Sequence, residues 1–163
     1  MKITCQSIIF ILFFVATSCD NLKEKCNNMP EQIIGTGLII PNALIPHINE
    51  FNHNYGNEGY IINCEEENNF ELSVSYDNEK TFENIDFVNY TVLGRHASGN
   101  CQVIYKRNVS KNEVTKKYIY TILVVHCGYC KSRDASMNWV LVPKIENDFT
   151  VEFIVEYERQ KGK

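Results

Sequence analysis

The chain has 163 residues, with 16 Lys and Arg against 20 Asp and Glu, a formal net charge of −4. That is the length of one ordinary domain, and hydrophobic residues make up 44% of it, enough to build a core. No stretch clusters Lys and Arg with aromatic residues, which speaks against a nucleic-acid partner.

Residues 1–18 read as an export signal. Lys2 supplies the short positive region, and Ile8 to Val15 (IIFILFFV) the apolar core. That core is too short for a bilayer, which needs roughly 20 apolar residues. Ala16, Thr17 and Ser18 then lead to Cys19. These small residues suit an ordinary signal peptidase. They also form a loose lipobox, with Ala16 where Leu is usual, and on that reading Cys19 receives a diacylglyceryl group and becomes the first residue. One lipid chain binds a membrane only marginally, whereas two or more hold it stably. The expectation is therefore an exported, lipid-anchored protein of a bacterial cell envelope, with simple secretion as the alternative. Cleavage after residue 18 removes Cys5 and leaves 145 residues. If Cys19 is lipidated, Cys26, Cys64, Cys101, Cys127 and Cys130 remain; if it is free, three disulfides could use all six.

Residues 19–32 (CDNLKEKCNNMPEQ) are polar and without periodicity, and read as a tether. The domain, 33–163, opens with "IIGTGLII", whose two glycines predict an irregular or bulged strand. Pro41 and Pro46 break the chain, and "HINEFNHNYGNEG" reads as a loop before the strand "YIINC". Glu65 to Asn69 (EEENN) could open a short helix. "FELSVS" alternates, and "FVNYTVL" and "CQVIY" flank the turn-like "GRHASGN". "YIYTILVVH" (118–126) is apolar on both faces, as a central strand would be. A loop, "SRDASMN", then precedes the strand "WVLV" at 139–142. In the last element Phe149, Val151, Phe153, Val155 and Tyr157 share one face, with Thr150, Glu152, Glu156 and Glu158 on the other. Only Ile154 departs from that alternation. The pattern predicts an all-β domain: an antiparallel β-sandwich or partly open barrel of about seven strands, stapled by disulfides.

Candidate chemistry is sparse. "CGYC" at 127–130 has the spacing of thiol oxidoreductases, in which a helix N-terminus stabilises the first thiolate. A thioredoxin-like fold needs a βαβ unit around that motif, and the chain that follows holds no room for one. Cys64, Cys101, Cys127 and Cys130 are accordingly disulfide candidates, with pairing open, and a thiol-disulfide redox role for Cys127 and Cys130 is an alternative. His47, Glu50 and His53 match no zinc-hydrolase spacing and fall in the Pro- and Asn-rich loop. Glu65, Glu66 and Glu67 are contiguous acids on a turn, and such acids seldom converge on one ion. No Gly-rich phosphate loop or G-x-S-x-G elbow occurs. Trp139 reads as a core anchor, and His96 and His126 as lone histidines. The sequons at Asn89 and Asn108 number what 19 Asn residues produce by chance, so they decide nothing. No catalytic residue, cofactor or metal is expected.

The N-terminal "TSCDN", and the series "IDFVNYTVLG", "GNCQVIYKR", "KKYIYTILVVHCGYC", "NWVLVPK" and "FTVEFIVE", resemble small β-rich lipoproteins of the Bacteroidota. The likeness covers roughly 58–157 and brings no catalytic residue with it. "YTILVVHC" followed by "WVLVPK" also resembles the last two strands of lipocalins, which would imply a closed barrel carrying a small apolar ligand. Two features depart from that family: the Gly-x-Trp near the first strand is missing, and an alternating segment replaces the C-terminal helix. The function expected is a membrane-tethered, non-enzymatic binding or accessory module recognising a protein, peptide or glycan. The alternative is a lipocalin-like secreted carrier.

Overall fold

The computed structural model describes residues 32–45, 58–64, 73–75, 83–100, 102–127 and 132–158, and within these the chain is all-β, without a helix. The strands are β1 (Gln32–Ile34), β2 (Tyr60–Ile62), β3 (Ser73–Val74), β4 (Glu83–Asn84), β5 (Tyr90–Asn100), β6 (Val103–Asn112), β7 (Lys117–His126), β8 (Arg133–Pro143) and β9 (Thr150–Tyr157). Seven of them form two sheets, ordered β1-β6-β7-β9 and β2-β5-β8, while β3 and β4 make a separate ladder. The sheets pack face to face, β5 against β7 and β6 against β8. They do not close into a barrel, so the architecture that a lipocalin likeness implies is absent.

Period-2 alternation explains the layering. In β7, Tyr118, Tyr120, Ile122 and Val124 are buried between the sheets. Leu93 and Ala97 of β5, Val103, Tyr105 and Val109 of β6, and Val140 and Val142 of β8 complete that core. Burying an aliphatic side chain of this size contributes about 1.5–3 kcal/mol before entropy is set against it. The other face of β7 is apolar as well: Val125 is buried with Ile104 and Cys127. On the far side of the second sheet, Ile62, Val92, Trp139 and Leu141 are packed against Val74 and Ile85. Trp139 is the core anchor its sequence suggests, 5% exposed and 5.9 Å from the ring of Tyr60.

Two expectations need correction. The four-stranded sheet is mixed, because β1 runs parallel to β6 and β9 parallel to β7. The cause is β8, which lies in the other sheet; the chain leaves β7, crosses over and returns in the same direction. "GRHASGN" is no turn but the second half of β5, and residues 133–138 are no loop but the first half of β8. The two halves pair continuously, from Gly94↔Trp139 to Asn100↔Arg133. Both are largely polar, the first contains two glycines, and each takes its extended form from the other. Of the disulfide candidates, Cys127 is disulfide-bonded and Cys64 is a free thiol, and no disulfide joins two described residues.

The sides of the sandwich differ. Along β6 and β8, Gly35 N donates to Arg107 O, Leu38 N to Val109 O (2.9 Å) and Ile40 N to Leu141 O (2.8 Å). Residues 35–40 therefore straddle both sheets and cover that side. At the end where β5 begins, Lys144 Nζ donates to the carbonyls of Asn63 and Phe87, each at 2.8 Å. Thr91 Oγ1 donates to Asn63 Oδ1 (2.7 Å) and accepts from Ile145 N (3.1 Å), so one lysine and one threonine join three chain segments.

Candidate functional site

Polar side chains between the sheets are the first place to look for chemistry. Arg107 and Tyr120 project inward from β6 and β7. Arg107 Nη1 donates to Trp139 O at 2.7 Å, and Tyr120 Oη to Asn138 O at 2.9 Å. Tyr105 Oη donates to Ala97 O at 3.4 Å. Each bond ties one sheet to a backbone carbonyl of the other. Burial raises the pKa of Tyr120, and burial followed by the charge of Asp134 raises that of Tyr105. Both phenols stay protonated at neutral pH with their protons committed to carbonyls. Burial also lowers the pKa of Arg107, partly offset by Tyr120. Asn138 is fully buried; its amide nitrogen donates to Ser136 O (3.1 Å), while its Oδ1 has no partner among the described residues. The Arg107, Tyr120 and Tyr105 bonds are inter-sheet ties, while the buried Arg107 Nε–H has no partner among the described residues.

The other distinctive region is the side formed by β2 and β9. β9 is the last strand of its sheet, and no described residue pairs with its outer edge. Thr150 N donates to Lys116 O and Glu158 N to Val124 O, so the even-numbered residues turn their backbone groups toward β7. Val151, Phe153, Val155 and Tyr157 consequently present their N–H and C=O groups to the free edge. Their side chains face the other sheet and are only partly covered: Tyr157 is 53% exposed, and Val151, Phe153 and Val155 are half-buried. Across from them stands β2, whose Ile61 is 41% exposed. Gly59, just before β2, lies so close to the Phe153 ring that a Cβ there would overlap it. Phe153 meets Tyr120 edge-on, with centroids 5.9 Å apart, and Tyr157 stacks on His126 at 6.1 Å. The result is an apolar seam between Ile61 and β9, flanked by backbone groups that no described residue pairs. An apolar row beside backbone donors and acceptors is the chemistry that pairs with an extended chain.

Of the residues singled out in the sequence, Cys19, Cys26, His47, Glu50, His53, Glu65, Glu66, Glu67, Cys101 and Cys130 lie outside the described residues. Cys127 follows β7, is 6% exposed and is disulfide-bonded, so its sulfur is not a free thiolate. His96 lies in β5 opposite Met137, and burial, then Arg95 and Arg133, lowers its pKa. Among the described residues no three His, Cys, Asp or Glu side chains gather as metal ligands. Asn89 sits in the turn before β5, where its amide donates to Asp86 Oδ2 (2.7 Å). Asn108 is half-buried in β6. The seam was not singled out from sequence, although the alternation of residues 149–158 carried its signal. No protein-family model, curated protein or solved structure matches the chain, so the geometry alone stands behind any reading of its role.

Proposed function

We propose that the chain is an envelope lipoprotein, held at a membrane through a lipid on Cys19, whose β-sandwich is a non-catalytic binding module. The observation that carries the binding role is the side at β2 and β9, where apolar side chains lie beside backbone groups that no described residue pairs. A rigid two-sheet scaffold supports recognition there without reorganisation of its own. The tether reading is supported by the small residues before Cys19 and by the polar residues 20–31 that follow it. Those residues span roughly 40 Å when extended, enough to hold a domain clear of the headgroups.

Two measurements test the two halves. The intact mass of detergent-extracted protein, with and without reductant, should begin at Cys19 and carry two or three acyl chains; a lipid-free mass would refute the anchor. A photo-crosslinking residue placed at Ile61 or Tyr157 in the full chain in cells should give discrete adducts. The same residue at Val114, which is 93% exposed in the turn between β6 and β7, should not. Equal labelling at all three positions would refute a recognition role for the seam.

A further inference from the structure

The outward face of β9 carries Glu152 and Glu156, with Glu158 directly after the strand. Lys117 Nζ meets Glu152 Oε2 at 2.8 Å, whereas Glu156 has no ion-pair partner among the described residues. The edge thus offers an occupant two different faces: acidic side chains outside and the apolar seam inside. A second copy of this chain fits poorly. Two-fold pairing of residues 150–158 is centred on Ile154, and it sets Glu152 opposite Glu156 of the other copy, twice. Like charges directly opposite are destabilising, and such charges are how proteins discourage edge-to-edge self-association.

We propose that the β9 edge accepts an extended peptide segment of alternating character, basic on its outward side and apolar on its inward side, as a fifth strand of the β1-β6-β7-β9 sheet. This rests on the reading of the domain as a binding module and names its partner class. The backbone of the segment bonds to the N–H and C=O groups of Val151, Phe153, Val155 and Tyr157. Its inward side chains fill the seam over Ile61 and Phe153, and its Lys or Arg residues lie beside Glu152 and Glu156. Main-chain bonds then supply affinity, while the alternation supplies selectivity and register.

The test uses the full mature chain and a synthetic peptide of β9's length that alternates Val and Lys. On titration, the amides of Val151, Phe153, Val155 and Tyr157 should gain hydrogen-exchange protection, while the even-numbered amides, already bonded to β7, should change little. A Val–Glu peptide should not bind. The double variant Glu152→Lys with Glu156→Lys, both at exposed positions, should weaken the Val–Lys peptide about tenfold at low salt and admit the Val–Glu peptide. A Val–Lys peptide N-methylated on its docking amides keeps its charge and should lose binding. Equal binding of the methylated peptide would overturn the inference in favour of charge attraction alone. Concentration-dependent dimerisation that protects the same amides without peptide would overturn it in favour of self-pairing. Unchanged amides together with crosslinks from Ile61 and Tyr157 to another partner would remove this inference and leave the binding-module reading standing.

Discussion

Gly94 stands directly opposite Trp139 in the β5–β8 ladder, and the indole lies across the space a side chain at Gly94 would occupy. Gly94→Ala therefore sets two effects against each other. Alanine loses less backbone entropy on folding, which favours the variant by roughly 0.5–1 kcal/mol. Its methyl group must also displace a ring that is 5% exposed and packed among Ile62, Val74, Ile85 and Leu141. Overpacking of that kind costs about 1–3 kcal/mol. The clash wins because the ring is hemmed in; Gly94 has no left-handed backbone, so the steric overlap is the whole cost. The expected net loss is about 1–2 kcal/mol. Trp139 is the only tryptophan, so its emission reports the displacement while urea unfolding reports the stability. The partner variant Trp139→Leu should lose about 2–4 kcal/mol through the cavity it leaves. In the double variant the Gly94→Ala clash should vanish, giving a coupling of about 1 kcal/mol or more, followed by circular dichroism. If Gly94→Ala is neutral or stabilising and leaves the emission unchanged, the ring does not rest on Gly94 and the argument fails.

Lys144→Met removes both 2.8 Å bonds to the Asn63 and Phe87 carbonyls and should cost about 2 kcal/mol, read by urea unfolding; no loss would show that the three segments are joined by packing alone. Tyr120→Phe deletes the 2.9 Å tie to Asn138 O and should cost about 1 kcal/mol, since the carbonyl remains in the β5–β8 ladder. His96 has a folded-state pKa lowered from 6.5 by burial, then by Arg95 and Arg133. The unfolded chain therefore binds the proton first, and stability should fall as pH drops below 6.5 until the folded-state pKa is passed. A thermal-denaturation series across that range should flatten in His96→Gln, and an unchanged slope in the variant would assign the dependence to another group.

Much of the fold was legible in local pattern. Residues 118–126 are apolar on both faces because β7 lies between β6 and β9 with core on one side and Ile104, Val125 and Cys127 on the other. Residues 150–157 alternate because one face of β9 meets the core and the other meets solvent. What failed was non-local. The segments 94–100 and 133–138 have the composition of turns, and nothing inside either one specifies a strand. They are extended because Arg95 pairs with Asn138, Ala97 with Ser136 and Gly99 with Asp134 across the ladder. Strand direction was hidden for the same reason. That β9 runs parallel to β7 follows from β8 joining the opposite sheet, which no window of sequence around either strand contains.

The candidate site shows the same division. The alternation of Val151, Glu152, Phe153 and Val155 announces a strand with one apolar and one acidic face, yet an interior strand covered on one side would read identically. Position in the sheet makes the difference, because a terminal strand leaves the N–H and C=O groups of Val151, Phe153, Val155 and Tyr157 unpaired by any described residue. Ile61 contributes from a three-residue strand too short to shield the face opposite it, and so it stays 41% exposed. The seam thus exists because two edges of unequal length face each other: β9 runs eight residues and β2 three. Lengthening β2 would cover the apolar row and leave the backbone edge of β9 intact. Occupying that edge would spend the backbone groups and bury the row together, and a peptide strand with one basic and one apolar face does both.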